Sequence, residues 1–189
     1  NGEHVADNDD LAEILRDELQ ASVFIFDYRG YGRSDGVPHE EGIVADGLAA
    51  QEWMANRMDV SPGELVLMGR SIGTGVAVAM AAEHGARALV LPNAYSRLVD
   101  AEAQTYPWLP VRTLMKNRYD SLQRIGQFTG PLHQCHGTRD RIVPIELGRN
   151  LFEAAPSESK RFVEIPGAGH NDWVPDSYFD DLAAFLDDV

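Results

Sequence analysis

The chain has one cysteine, Cys135, among 189 residues. That excludes an internal disulfide framework and any metal site built from several thiolates. Cys135 lies in the apolar run Pro131-Leu132-His133-Gln134-Cys135-His136, where a buried structural thiol is expected. No stretch approaches the ~18 apolar residues of a membrane-spanning helix. No secretory signal is legible, but the chain opens on Asn1 rather than methionine, so compartment and anchoring stay open. Basic residues are scarce, 16 against 30 acidic ones, for a net charge of −14. Such a surface repels nucleic acid and anionic membrane surfaces. It reads as a solvated acidic shell, with attraction of cationic substrates as the alternative. Internal repeats and low-complexity segments are absent too. What remains, 44% apolar and 24% charged residues, is ordinary globular composition, enough for one domain with a sizeable core.

Apolar periodicity then orders the chain. Asp7-Asn8-Asp9-Asp10 offers caps and negative charge for a helix carrying Leu11, Ile14, Leu15 and Leu19. A short strand is expected over 22–26, and a helix over 40–58 with Ile43, Gly47, Ala50, Trp53 and Met54 inward. Further strands are expected over 65–68, 86–91, 132–136 and 161–165, and helices after position 74 and over 146–155 and 177–186. Segment 92–130, rich in aromatics and arginine, reads as irregular. Continuously apolar strands alternating with helices imply an α/β fold, a mainly parallel sheet with helices on both faces. In such sheets chemistry gathers in the loops at the carboxyl ends of the strands.

Gly69-Arg70-Ser71-Ile72-Gly73 follows one such strand and opens a helix of small residues. A Gly-x-Ser-x-Gly between strand and helix is a nucleophile elbow, with the serine held in a strained positive-φ turn and glycines where side chains would collide. A serine hydroxyl needs a base within hydrogen-bond reach, and the base needs a carboxylate to fix its tautomer. Of six histidines, His4 and His39 lie in polar settings, His84 ends the elbow helix, and His133 and His136 sit within a strand as structural residues. His170 follows the last strand in Gly167-Ala168-Gly169-His170-Asn171. Asp140 ends the preceding strand in His136-Gly137-Thr138-Arg139-Asp140, so Ser71, Asp140 and His170 fall at successive strand ends in the chain order Ser, Asp, His. Asp27 reads as a structural acid paired with Arg29 or Arg70, and Asp172 and Asp176 are rivals to Asp140.

These motifs, with Asp27-Tyr28-Arg29-Gly30-Tyr31-Gly32-Arg33-Ser34, resemble the α/β-hydrolase superfamily, nearest its BEM46-like branch, which is similar to serine aminopeptidase S33 and monoglyceride lipase-like domains. The resemblance implies Ser71 as nucleophile, Asp140 as acid and His170 as base. It implies an oxyanion hole from the backbone amides of Ile72 and, in Asn1-Gly2, of Asn1. It implies no metal and no cofactor. It also implies further strands upstream, one of them central between 22–26 and 65–68, so the chain is expected to be an N-terminally truncated fragment of the fold. Segment 92–130 is expected as a short cap, with Tyr106, Trp108, Leu109 and Leu114 lining an apolar pocket or simply packing the cap. The expected activity is cleavage of a carboxylic ester or thioester on a small-molecule, lipid or acylated substrate, without nucleic acid. Alternatives are S33-type amide chemistry and a non-catalytic, hydrolase-like binding module.

Overall fold

Four apolar runs, too short to stand alone, pair in a computed structural model into one parallel sheet. The structure describes residues 4–172 and 174–189. The strands are β1 (Val66–Met68), β2 (Ala88–Pro92), β3 (Leu132–Gly137) and β4 (Lys160–Ile165), in spatial order β1-β2-β3-β4. Register runs Val66 opposite Ala88, Leu89 opposite Leu132, and Leu132 opposite Lys160. Burial is continuous along β2 and β3, as central strands covered on both faces require.

The helices are α1 (Asp9–Leu19), α2 (Glu40–Met58), α3 (Gly73–His84), α4 (Leu98–Thr105), α5 (Val111–Leu114), α6 (Ser121–Ile125), α7 (Ile145–Ala154) and α8 (Asp176–Asp187). Side chains alternate across each strand. Leu89, Leu91 and Leu132 thus join a core with Ile43 of α2, Val76 of α3, Ile125 of α6 and Leu151 of α7. Val90, Cys135 and Ile165 point the other way, against Leu15 of α1 and Tyr178, Phe179 and Leu182 of α8. This is an α/β architecture, a parallel sheet between two helical layers.

Three local expectations are corrected. Segment 22–26 makes no ladder, although the Phe24 ring packs tilted against Trp53 of α2 at 4.8 Å and Val23 packs against the α1–α8 core. Its side chains find apolar partners while its backbone finds no strand; β1 ends the sheet, with Val66 and Met68 partly exposed. On α2 the inward stripe is Ile43, Gly47, Gln51 and Ala55, one residue per turn, and Trp53 is 54% exposed. Gln51 goes inward because its amide nitrogen donates to the carbonyls of Pro62 (3.0 Å) and Gly85 (2.9 Å), tying α2 to the ends of the elbow unit. Segment 92–130 holds three short helices rather than irregular chain. Asp120 caps the last of these by accepting from the Gln123 amide at 3.1 Å.

Candidate active site

The ladder between β1 and β2 runs on past the strand ends: the Gly69 amide donates to Val90 O (3.0 Å) and the Ser71 amide to Pro92 O (3.4 Å). The chain must then reverse into α3 within a few residues, which forces Ser71 to φ +52°. A non-glycine residue in that region stores strain, and here the turn presents the hydroxyl at the carboxyl end of the sheet. The glycines divide unequally. A Cβ on Gly69 would strike the Gly73 carbonyl and sit 2.6 Å from Ala77 Cβ, whereas one on Gly73 would meet only the Tyr28 hydroxyl at 3.8 Å. Gly75, two residues beyond the motif, is far tighter than Gly73: its Cβ would lie 2.7 Å from both the Tyr119 ring and the Tyr95 hydroxyl. Gly75→Ala is therefore expected to destabilise the fold by about 1–3 kcal/mol through overpacking. Gly73→Ala should stay within about 1 kcal/mol of the parent. Urea unfolding of the two variants checks the contrast, and equal effects would show that the tyrosines yield freely.

Asp140 lies in the turn after β3 and His170 in the loop after β4. The loops are laced together: the Arg139 amide donates to Ala168 O (2.9 Å), and the Gly167 amide to Thr138 Oγ1 (2.8 Å). His170 Nδ1 stands 2.7 Å from Asp140 Oδ2, and His170 Nε2 stands 2.9 Å from Ser71 Oγ. Asp140 Oδ1 accepts the amides of Ile142 (2.9 Å) and Val143 (2.8 Å). Burial by itself pushes the pKa of Asp140 up, but the His136 and His170 rings and the Val143 amide outweigh it and hold the carboxyl well below the usual carboxylate range. An ionised Asp140 is acceptor-only, so Nδ1 of His170 carries the proton and donates it. Nε2 is then left with a lone pair facing the serine hydroxyl. Ser71 is half-buried, while His170 and Asp140 are buried.

The chain matches the alpha/beta hydrolase fold family over residues 6–123, more than half its length. The chain belongs to that family. Among its relatives, the uncharacterized protein Rv2307c of Mycobacterium tuberculosis is 44% identical over 154 residues, covering 82% of this chain and 54% of that protein. Protein bem46 of Schizosaccharomyces pombe is 32% identical over 184 residues, covering 93% of this chain and 61% of that protein, which places this hydrolase-fold chain in the BEM46-like branch. The chain thus spans about half the length of the curated relatives it matches. In fold it is similar to a soluble variant of monoglyceride lipase from Saccharomyces cerevisiae, with TM-score 0.71 at 19% identity, covering 99% of this chain and 83% of that one.

Other residues singled out in the sequence land as follows. Asp27 does not pair with an arginine: its Oδ1 accepts the Val5 amide at 2.9 Å, anchoring the turn of residues 5–8. Arg29 instead grips Asp46 of α2 through Nε (3.0 Å) and Nη2 (2.7 Å). Asp172 caps its own loop by accepting the Gly169 amide at 2.8 Å, and Asp176 opens α8. Ile72 directly precedes α3 and borders a cavity of ≈ 100 Å³ also lined by His4, Val5, Phe26, Asp27 and Tyr28. Asn1 lies outside the described residues. Tyr106, Trp108, Leu109 and Leu114 sit between α4 and the end of α5, all exposed, with Trp108 at 78% and its ring edge-on to Tyr106. Among the described residues no His, Cys, Asp or Glu cluster is arranged to hold a metal ion, and no helix is long and apolar enough to cross a membrane.

Two residues hold roles the sequence did not suggest. Asn93, buried at φ +49° directly after β2, donates through Nδ2 to the His170 carbonyl (2.9 Å) and accepts the Gly137 amide on Oδ1 (3.2 Å). Arg70 Nη2 donates to the same His170 carbonyl at 2.7 Å. Together they fix the backbone of the histidine loop relative to the elbow. Asn93 was findable: it stands at a strand's carboxyl end like the other three, and asparagine is among the few residues that tolerate a left-handed turn.

Proposed function

We propose that the protein is a serine hydrolase that cleaves a carboxylic ester or thioester through an acyl-serine intermediate. The observation that carries this reading is the unbroken relay from Ser71 Oγ through both ring nitrogens of His170 to Asp140 Oδ2, with distances of 2.9 and 2.7 Å. Ser71 Oγ attacks the substrate carbonyl while His170 Nε2 takes its proton. The imidazolium is stabilised by the Asp140 carboxylate, which stays ionised. The tetrahedral oxyanion is held by backbone amides, with Ile72 as the donor next to the nucleophile. Collapse expels the alcohol or thiol, protonated by His170, and leaves acyl-Ser71. Water activated by the same ring then releases the acid and restores the serine. No step calls for a metal or cofactor.

In this reading the chain is one domain, in which 92–130 forms a short cap-like insertion. There Tyr106, Trp108, Leu109 and Leu114 offer apolar surface to an acyl chain, and the likeness in fold to a monoglyceride lipase is in keeping with ester substrates. A non-catalytic binding module has no use for an intact relay. The test compares p-nitrophenyl esters of increasing chain length with amino-acid p-nitroanilides on the same preparation. Ester turnover exceeding amide turnover by at least roughly 100-fold, about 2.7 kcal/mol of barrier, is expected. Preferred anilide cleavage would transfer the site to amide chemistry, with the net charge of −14 attracting the substrate amine.

A further inference from the structure

The geometry points to His136 as a positioning residue that braces the turn carrying Asp140, an inference that rests on the serine-hydrolase reading above. His136 is a full helical turn's worth of sequence before the acid, yet lies in β3, and its ring is wholly buried. Its Nε2 stands 2.8 Å from the Val143 carbonyl and 3.5 Å from Asp140 Oδ2. Both neighbours are acceptors, so Nε2 carries the proton and the tautomer is fixed. The Val143 amide in turn donates to Asp140 Oδ1 at 2.8 Å. His136, Val143 and Asp140 thus close a ring of donors and acceptors that touches both carboxylate oxygens, Oδ1 through the Val143 amide and Oδ2 through the His136 ring.

The ring has no freedom to leave. A Cβ on Gly148 of α7 would lie 2.6 Å from His136 Nδ1, so the helix backbone is pressed against the imidazole. Nδ1 has no hydrogen-bond partner although it is buried, a cost that a purely space-filling residue would not bring. A leucine or phenylalanine there would have been the ordinary core choice. What the imidazole adds is its one N–H, which serves the turn carbonyl and lies at the long edge of contact with the carboxylate oxygen that holds His170.

Two consequences follow for the proposed reaction. The brace keeps Oδ2 on the Nδ1–H of His170, and misplacing a catalytic group by even 1 Å lowers turnover by roughly 100-fold. The brace also shares the charge of Oδ2, so its removal strengthens the pull of Asp140 on the His170 proton. The acid limb of the kcat/KM profile then moves to higher pH. The ionisable groups around this corner are Asp140 and His170 themselves, with Arg70 and Asp172 bonded to the histidine loop. From the flank α7 brings Gly148 against the ring, while its Arg149 is paired with Glu164 of β4.

The test uses the full chain carrying His136→Asn, His136→Phe or His136→Gln, with rates normalised to the serine titrated by a fluorophosphonate. Asparagine is too short to reach Val143 and phenylalanine has no donor. Both should lower kcat by roughly 10- to 100-fold, leave KM within about twofold and move the acid limb upward. Glutamine places an N–H near the Nε2 position and should restore most of kcat and the wild-type limb. An unshifted limb in the asparagine variant, or a glutamine variant no better than asparagine, would overturn the assignment. Ser71→Ala run in parallel separates the two layers: survival of turnover there sinks the serine-hydrolase reading, whereas its loss beside an unaltered His136→Asn enzyme sinks the brace alone.

Discussion

Ser71→Ala is expected to abolish covalent labelling by a fluorophosphonate and to lower ester turnover by on the order of a million-fold. The magnitude follows from the relay. With Oγ gone, His170 Nε2 has no hydroxyl to deprotonate, and any residual rate comes from binding and oxyanion stabilisation with water as the attacking group. The fold should be untouched, since Ser71 is half-buried and its role in the elbow is carried by its backbone. Alanine still has to adopt φ +52°, which a β-carbon tolerates as well in alanine as in serine. Labelling of the parent and the variant, followed by intact mass, decides it. A probe that still adds to the alanine protein would place the nucleophile elsewhere. Cys135 is a poor rival, because burial pushes its thiol up to about 12 and the nucleophilic thiolate is not formed at neutral pH.

Asp140→Asn carries the second-largest effect, about 10⁴-fold in kcat. The change is isosteric, and its effect is through proton position. The carboxamide introduced by that substitution would present an N–H to His170 Nδ1, drive the ring proton onto Nε2 and leave no lone pair for the serine. The same substitution reports on stability. The folded-state pKa of Asp140 is depressed, so the carboxylate contributes stability that is fully present above the unfolded value of about 3.9. That contribution is lost as pH falls through the folded value. The stability gap between wild type and Asp140→Asn should therefore be widest near neutrality and narrow below about pH 4. Denaturant unfolding at pH 7, 5 and 3.5 measures it. A gap that stays constant across that range would mean that the charge of Asp140 is not what the turn amides and the two histidines hold.

Much of this was legible beforehand because the signals are local. The elbow is a strand, a strained serine and a helix in a dozen residues, and its strain needs no distant partner to be read. Asp140 and His170 were legible for a related reason: parallel strands deliver their carboxyl ends to one edge of the sheet, so position in sequence translates into position in space. The helix over 40–58 was found to the residue, but its inward face only in part, at Ile43 and Gly47. Hydrophobicity favoured Trp53, whereas two carbonyl groups from Pro62 and Gly85 recruited Gln51. Those carbonyls lie 11 and 34 positions away on other elements, and hydrophobic periodicity does not register them.

The same division runs through the site. Sequence alone determined a parallel α/β sheet, an elbow at Ser71 and an acid and a histidine at later strand ends, since each rests on short-range pattern and chain order. Only the tertiary structure decided that Arg29 grips Asp46 rather than Asp27 and that 22–26 lies beside the sheet without joining it. It likewise decided that Gly69 and Gly75 rather than Gly73 are the tight glycines, and that Asn93 and Arg70 fix the histidine loop. It also turned His136 from a strand histidine into a neighbour of Asp140. These contacts, between residues from four to about a hundred positions apart, are set by which backbone groups and side chains are left needing partners once the sheet has closed.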